Sequence, residues 1–413
     1  MSATGGLVSS PPQPDQRAGV DAVTARVRQR FVENGTAPTP VSVAAAVRAD
    51  GGSAVLGEAT LRRLAGQLAG ELGGAGPLTP LIADPAVTDV LVNGDQVWID
   101  RGAGLQPVPI ALGDAADMRR LAQRLAAMAG RRLDEASPYV DAQLPDGTRL
   151  HAVLAPVAAG GPYLSLRTFR RRAFTLADLV SAGTMAPGVA DLLAAVVAAR
   201  LPYVVSGGTG SGKTTVLGAL LGLVPPDERI VIVEDAAELR PDHPHAVALQ
   251  SRTANVEGAG EITLRDLVRQ ALRMRPDRLV VGECRGAEVV DLLCALNTGH
   301  EGGAATVHAN AAFDVPARLE ALGLLGGVPR EALHAQIAAA LRVVIHLRRV
   351  ATGRVVDEIC VLSPGPDGRL VSVARAWRRG YGPGPAGPAL AGLLSRHGAP
   401  APAVLTASAE TEH

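Results

Sequence analysis

A glycine-rich segment that contains one lysine is the part of this sequence most informative about chemistry. The segment GGTGSGKT, from Gly207 to Thr214, fits the pattern G-x-x-x-x-G-K-[ST]. Glycines let such a backbone curl so that successive N–H groups point inward at phosphate oxygens. Lys213 can then bridge two phosphates, and the Thr214 hydroxyl can ligate Mg²⁺. The expected nucleotide contacts are Gly207, Gly208, Thr209, Gly210, Ser211, Gly212, Lys213, Thr214 and Thr215.

Lys213 is also the only lysine in the chain, and every other basic residue is arginine. A GC-rich genome that replaces lysine with arginine explains this bias in general. A lysine retained against that pressure indicates a site that needs a compact ammonium rather than a planar guanidinium.

Acidic residues end two apolar segments downstream of this loop. Glu234 and Asp235 end RIVIVED, and Glu283 ends RLVVGE. The carboxyl ends of parallel strands gather near a phosphate loop, where a carboxylate can hold magnesium or orient an attacking water. Gly282 stands where an aspartate often precedes such a glutamate, so Glu283 must do more of this work. The plain alternative is that these acids cap a solvated sheet edge.

Two histidines, His300 and His308, lie in NTGHEGGAATVHAN. No third or fourth ligand lies nearby, which argues against zinc. A histidine near a terminal phosphate can report its presence by a hydrogen bond, whereas a satisfied core histidine is the simpler interpretation of either residue.

The elements around these residues alternate between strand and helix, which predicts a parallel sheet covered on both faces. Thr352-Gly353 predicts the turn of a hairpin within 341–362. Predicted strands are 203–206, 229–235, 278–283 and 304–308, and predicted helices are 214–224, 262–274 and 287–298.

Upstream, a helical pattern near 56–72, short strands, a helix at 114–129 and strands near 149–154 and 163–169 predict a mixed α/β unit. The predicted organisation has four parts. These are a flexible N-terminal arm with a short helical segment (1–55), an α/β domain (56–172), a second α/β domain (173–381) and a disordered C-terminal tail (382–413).

Composition narrows the function. With 413 residues the chain is too long for one ordinary domain, and 47% hydrophobic residues supply real cores. Lys+Arg and Asp+Glu balance at 40 each, and aromatics are 2%, which argues against a nucleic-acid partner. We find neither a signal peptide nor a run of eighteen apolar residues, so we expect a cytoplasmic protein that meets membranes through partners.

Four ordered motifs carry a family resemblance. VVSGGTGSGKTTVL, VEDAAEL, RMRPDRLVVGECRGAE and NTGHEGGAATVHAN resemble the Walker A, Asp box, Walker B and His box of the secretion ATPases of type II and type IV systems. The resemblance covers about residues 70–365. It is strongest to the tight-adherence (Tad/Flp) pilus ATPases, CpaF/TadA-like, and next to the conjugation-type ATPases. The zinc subdomain of the type II secretion and pilus extension branch is absent from this sequence.

This resemblance implies a RecA-like ATPase domain preceded by a domain that covers the nucleotide and supplies arginines. Arg149 and Arg167 match those arginines by context, Arg170 less well. For Arg170 and its neighbours a solvated or membrane-surface basic turn is the alternative. The other implied site residues are Lys213 and Thr214 for phosphate and magnesium, Glu283 as Walker B glutamate, Glu234 as Asp-box acid and His308 as sensor of the terminal phosphate.

The implied function is a Mg-dependent ATPase that forms a homo-hexameric ring. Such a ring would power pilus assembly or protein secretion from the inner face of the cell membrane, through inner-membrane platform proteins, without nucleic acid or zinc. Two alternatives stay open: a hexameric nucleic-acid motor on the same core, and a scaffold that binds ATP without hydrolysing it.

Overall fold

The structure is a computed structural model that describes residues 14–34, 40–102, 104–168, 173–252, 254 and 259–406. The chain divides into two compact units between residues 171 and 172, beside the predicted domain boundary. Within the described residues, no helix is both long enough and apolar enough to cross a bilayer.

Three helices open the first unit, namely α1 (Pro14–Asn34), α2 (Pro40–Arg48) and α3 (Glu58–Gly73). Val23, Val43 and Leu68 belong to one buried cluster that the three helices share. Helix α1 contains the short helical segment expected in residues 1–55, whereas the flexible arm expected around it is wrong for described residues 40–55, because valines at helical spacing give these helices a common core.

The rest of the first unit is a six-stranded antiparallel sheet covered by a helix. Its order is β3-β2-β1-β6-β5-β4. Met118 and Leu125 of the covering helix share a core with Val90 and Leu150 of the sheet. The elements are α4 (Thr79–Ala83), β1 (Asp89–Asn93), β2 (Gln96–Asp100), β3 (Leu105–Val108), α5 (Ala115–Met128), β4 (Tyr139–Gln143), β5 (Arg149–Val153) and β6 (Tyr163–Arg167).

The second unit contains a nine-stranded sheet in the order β15-β14-β13-β12-β7-β11-β10-β8-β9. The six strands from β12 to β9 in this order pair in parallel, and β13 to β15 add antiparallel strands at one edge. Its strands are β7 (Tyr203–Gly207), β8 (Ile230–Glu234), β9 (Ala246–Gln250), β10 (Arg278–Cys284), β11 (Ala304–Val307), β12 (Val343–Val350), β13 (Gly353–Pro364), β14 (Val371–Arg378) and β15 (Gly382–Pro383).

Helices cover both faces of this sheet, as the alternation predicted. Ile232 of β8 joins the core on one face, whereas Val231 and Val233 join the core on the other. Helices α6, α7, α8 and α13 contribute to the first core, and α9 to α12 to the second. Their bounds are α6 (Leu176–Ser181), α7 (Pro187–Ala198), α8 (Lys213–Leu221), α9 (Leu264–Ala271), α10 (Glu288–Asn297), α11 (Val315–Leu325), α12 (Arg330–Ala340) and α13 (Gly387–Arg396).

The C-terminal segment differs from the prediction. Helix α13 lies in the region expected to be a disordered tail, and its Leu390 and Leu394 are completely buried in the first core. Glycine and proline dominate the local composition, but two leucines four residues apart form an apolar helix face. The disorder prediction is therefore wrong for 382–406, and residues 407–413 lie outside the described part.

Candidate nucleotide site

The glycine-rich loop joins the end of β7 to the start of α8, the context that its pattern requires. Gly210 and Gly212 have φ of 69° and 95°, backbone values that favour glycine. A β-carbon on Gly207 would lie 2.5 Å from the Leu347 carbonyl oxygen, so the close approach of strand β12 also requires glycine there. Local sterics thus explain the spacing of these glycines.

Lys213 turns back into this loop. Its Nζ donates hydrogen bonds to the carbonyls of Gly207 (3.1 Å) and Gly208 (3.0 Å) and lies 3.4 Å from His308 Nε2. Burial lowers the pKa of Lys213, while the carboxylate of Glu283 raises it. The two carbonyl hydrogen bonds hold the ammonium inside the loop, where its positive charge would compensate the negative charge of a phosphate group.

Glu283 and His308 meet at the ends of two adjacent parallel strands, β10 and β11. His308 Nε2 lies 2.8 Å from Glu283 Oε1. Burial and the nearby charge of Lys213 lower the pKa of His308, and Glu283 opposes them. The predicted Lys213, Glu283 and His308 therefore form one contiguous cluster.

Arg285 joins this cluster, although the sequence analysis did not single it out. Its Nε and Nη2 donate to Glu283 Oε2 at 2.8 and 2.5 Å. Hydrogen bonding to Glu283 raises the pKa of Arg285. Both oxygens of the candidate catalytic carboxylate thus face a nitrogen group, one from a guanidinium and one from an imidazole. The signal available in the sequence was the i, i+2 spacing of Arg285 and Glu283.

Glu234 is 4% exposed at the end of β8. Its Oε1 accepts hydrogen bonds from the backbone N–H groups of Glu238 (3.2 Å) and Leu239 (3.1 Å). Burial nevertheless raises the pKa of Glu234 to about 7. The structure places this predicted Asp-box acid beside the Walker B strand, with its carboxyl group bonded to the 238–239 turn rather than to Lys213, Glu283 or His308.

The donor groups at the site suit magnesium and phosphate. Mg²⁺ prefers oxygen ligands and usually takes one or two from the protein and the others from phosphates and water. The Thr214 hydroxyl and the Glu283 carboxylate would hold it here. The carboxyl group of Glu234, the third expected ligand, instead accepts hydrogen bonds from the backbone of Glu238 and Leu239. Ser211 Oγ is buried with no hydrogen-bond partner among the described residues, which suits a site that a phosphate oxygen completes. Within those residues, no three His, Cys, Asp or Glu side chains cluster as a metal site.

The arginines predicted to act on the phosphates belong to the first unit. Arg149 of β5 and Arg167 of β6 are register partners on neighbouring strands, and both are exposed. They alternate with the buried Leu150 and Leu166, as a half-buried sheet requires. Arg170 lies outside the described residues. His300 Nδ1 lies 3.1 Å from the Ala295 carbonyl, so this histidine contacts α10 and not the Lys213 cluster.

Comparison with known proteins gives a consistent result. The family model for "Type II/IV secretion system protein" matches residues 71–363. A putative conjugal transfer protein of Mycobacterium tuberculosis is 59% identical over 311 residues, 73% of this chain and 88% of that protein. The probable conjugal transfer protein TrbB of Sinorhizobium fredii is 32% identical over 292 residues, 69% of this chain and 86% of that protein.

Solved structures agree on the fold. The pilus retraction motor PilT with bound ADP is 19% identical and covers 72% of this chain and 82% of its own, with a TM-score of 0.50. The predicted RecA-like fold with a largely parallel sheet is thus confirmed. Because the family model spans more than half of the chain, this protein belongs to the type II/IV secretion system protein family and is an ATP hydrolase of that family.

Proposed function

We propose that this chain is the Mg-dependent ATPase subunit of a homo-hexameric ring that powers pilus assembly or protein secretion across the inner membrane. Within the family, we assign this chain to the tight-adherence (Tad/Flp) branch, because its four ordered motifs resemble those of that branch most. The observation that carries the proposal is the cluster of Lys213, Glu283 and His308 at the end of a parallel sheet. In it, His308 Nε2 lies 3.4 Å from Lys213 Nζ and 2.8 Å from Glu283 Oε1.

Each member of the cluster has a distinct role in hydrolysis. Lys213 neutralises phosphate charge, and the N–H groups of the loop hold the phosphate oxygens. Glu283 accepts hydrogen bonds from Arg285 at Oε2, whereas its Oε1 lies 2.8 Å from His308 Nε2 and is buried with no hydrogen-bond partner among the described residues. The carboxylate is thus fixed through one oxygen, and the other is left to align an attacking water. His308 contacts both Lys213 and Glu283, and this position supports its role as a sensor of the terminal phosphate. Magnesium, when bound, would offset further charge on the phosphates.

The arginine pair of the first unit fits the family's use of a moving domain. Arg149 and Arg167 present two guanidinium groups from adjacent exposed strand positions. A guanidinium delivered to the phosphates stabilises transition-state charge and couples hydrolysis to domain motion. Head-to-tail interfaces between identical subunits can close into a ring, in which each subunit contacts two neighbours. Domain motion in one subunit would be passed on to the others through these interfaces.

The relatives named for conjugal transfer support a place beside a membrane-spanning secretion or conjugation apparatus. We propose that the protein acts in the cytoplasm, peripherally at the inner face of the cell membrane, and that inner-membrane platform proteins are its partners. Nucleic acid and zinc are not part of the proposed mechanism.

The decisive experiment measures ATP turnover of the purified protein over a dilution series, with and without Mg²⁺ and with and without single-stranded DNA. We expect Mg-dependent turnover per chain that rises steeply with protein concentration, because a ring site needs a neighbour. Lys213→Ala should abolish turnover.

Other outcomes contradict particular parts of the proposal. Turnover that is independent of concentration would exclude a site shared between subunits. Stimulation by DNA would favour the nucleic-acid motor. Tight ATP binding without turnover would favour a nucleotide-dependent scaffold, and unchanged turnover in Lys213→Ala would refute the assignment of the site.

A further inference from the structure

An arginine from the hairpin β12–β13 reaches the phosphate loop. Arg354 lies at the start of β13, and its Nε donates a 2.8 Å hydrogen bond to the carbonyl of Gly210. The Arg354 Cδ also lies 3.3 Å from the position that a β-carbon on Gly212 would take. The side chain therefore lies across the outside of the loop and touches it at two glycines.

The carbonyl that Arg354 holds belongs to the Gly210–Ser211 peptide unit, which also contains the Ser211 N–H. Fixing the carbonyl therefore fixes the direction of this N–H. In a planar trans peptide the C=O and N–H bonds point in opposite directions. With the carbonyl held by Arg354, the Ser211 N–H points away from Arg354. Among the described residues this N–H donates to the Gly208 carbonyl at a long 3.4 Å, an oxygen that also accepts from Lys213 Nζ. The amide and the ammonium thus face the same region inside the loop.

The loop needs such a tether because of its own composition. Gly208, Gly210 and Gly212 carry no side chains that restrict rotation of the peptides between them. Gly210 has a φ of 69°, and a glycine can adopt other backbone conformations, with positive or negative φ, at little cost. A charged hydrogen-bond donor on the carbonyl selects one orientation, and charge-assisted bonds are about twice as strong as neutral ones.

We propose that Arg354 is a positioning residue of the phosphate loop, which holds the Gly210–Ser211 peptide so that the Ser211 N–H is directed at the phosphates of a bound nucleotide. The inference rests on the proposed nucleotide site. The amide is available to ADP as well as to ATP, so we assign to Arg354 a role in binding both nucleotides rather than in recognising the terminal phosphate.

The hairpin supplies a matched control. Arg349 is the register partner of Arg354 on β12 and is also exposed. Arg349→Ala removes the same side chain from the same hairpin without touching the loop. A second variant separates the hydrogen bond from the charge: in Arg354→Gln the amide Nε2 takes the place of Nε, so a donor to Gly210 stays while the positive charge is lost.

The experiment measures the affinity of the full chain for ADP and for ATP by titration calorimetry, and KM and kcat for hydrolysis. In Arg354→Ala we expect the Kd for both nucleotides and the KM to rise about tenfold, on the order of one lost charge-assisted hydrogen bond, while kcat changes less than threefold. In Arg354→Gln the rise should be only about threefold, because a neutral hydrogen bond to Gly210 remains. Arg349→Ala should match the wild type throughout.

Three results would overturn the inference. The first is wild-type affinity in Arg354→Ala. The second is a loss in Arg354→Gln as large as that in Arg354→Ala, which would assign the effect to charge alone. The third is a loss confined to ATP, which would make Arg354 a contact of the terminal phosphate. Lys213→Ala separates this failure from that of the site itself. If Lys213→Ala binds nucleotide as well as the wild type, the proposed site is wrong, whereas loss in that variant alone refutes only the role of Arg354.

Discussion

The side chain of Glu234 occupies the space that a side chain on Gly282 would need. A β-carbon built on Gly282 would lie 2.5 Å from Glu234 Cγ and 2.8 Å from its Oε1. Gly282 stands next to Glu283 on β10, and Glu234 ends the neighbouring strand β8. The absence of the usual Walker B aspartate is thus linked to the buried position of the Asp-box acid, because the two side chains would compete for one volume.

Gly282→Ala tests this relationship. We expect destabilisation of about 1–3 kcal/mol from overpacking, with reduced turnover as Glu283 shifts. The measurement is urea unfolding together with ATP turnover. Gly66→Ala is the control, since this exposed helical glycine has nothing within 4 Å of its added β-carbon and should gain about 0.5–1 kcal/mol. Adding Glu234→Ala should relieve the strain in Gly282→Ala; strictly additive effects would contradict the steric explanation.

Glu283→Gln tests the chemistry at the strand end. The amide keeps the size of the side chain but loses the charge that orients water, so we expect turnover to fall by about 10²-fold or more while nucleotide still binds. Turnover and nucleotide affinity are measured on the same preparation. Glu301→Gln, an exposed glutamate on the turn before β11, should leave both unchanged. Weakened binding with normal turnover would make Glu283 a structural residue.

The pH dependence of stability is expected to depend on Glu234. Burial raises its pKa from 4.5 to about 7 in the folded protein. The folded state therefore binds this proton more tightly than the unfolded chain, and the resulting stability is complete below pH 4.5 and lost as pH rises through 7. Over that window we expect the free energy of unfolding of the wild type to fall by up to about 3 kcal/mol more than that of Glu234→Gln. Urea unfolding at a series of pH values measures this difference, and parallel profiles would contradict it.

The C-terminal helix is expected to be part of the ATPase core. Leu390 is completely buried, so Leu390→Ala should cost about 2–5 kcal/mol of stability through lost contacts and a residual cavity. Leu325→Ala removes the same atoms from a side chain that is 71% exposed and should have little effect. Thermal unfolding compares the two variants. Equal melting temperatures would mean that α13 is dispensable for the fold.

The central sheet was largely predictable because its strands are short, continuous apolar runs that end in polar or glycine residues. Strands β7, β8, β10 and β11 lie within one or two residues of the predicted ranges. Their parallel pairing then brings the predicted Lys213, Glu283 and His308 together without further information.

Other features follow from contacts that a single sequence does not reveal. Arg354 and Gly210 are 144 positions apart, and no local pattern links them. Strands β3 and β9 have mostly exposed or half-buried residues, so they lack the alternation or apolar run that marks a strand. In the C-terminal segment, glycine and proline content outweighed the spacing of Leu390 and Leu394, although that spacing predicts a helix.

The solitary lysine gives the protein an unusual chemical property. Reagents that acylate or methylate ε-amines find a single target in this chain, Lys213, and it lies in the phosphate loop. Burial lowers the pKa of this amine, so a larger fraction of it is in the reactive neutral form near neutral pH. Labelling at this position, read from the modified peptide, reports the occupancy of the nucleotide site without an engineered probe and without competition from other lysine side chains.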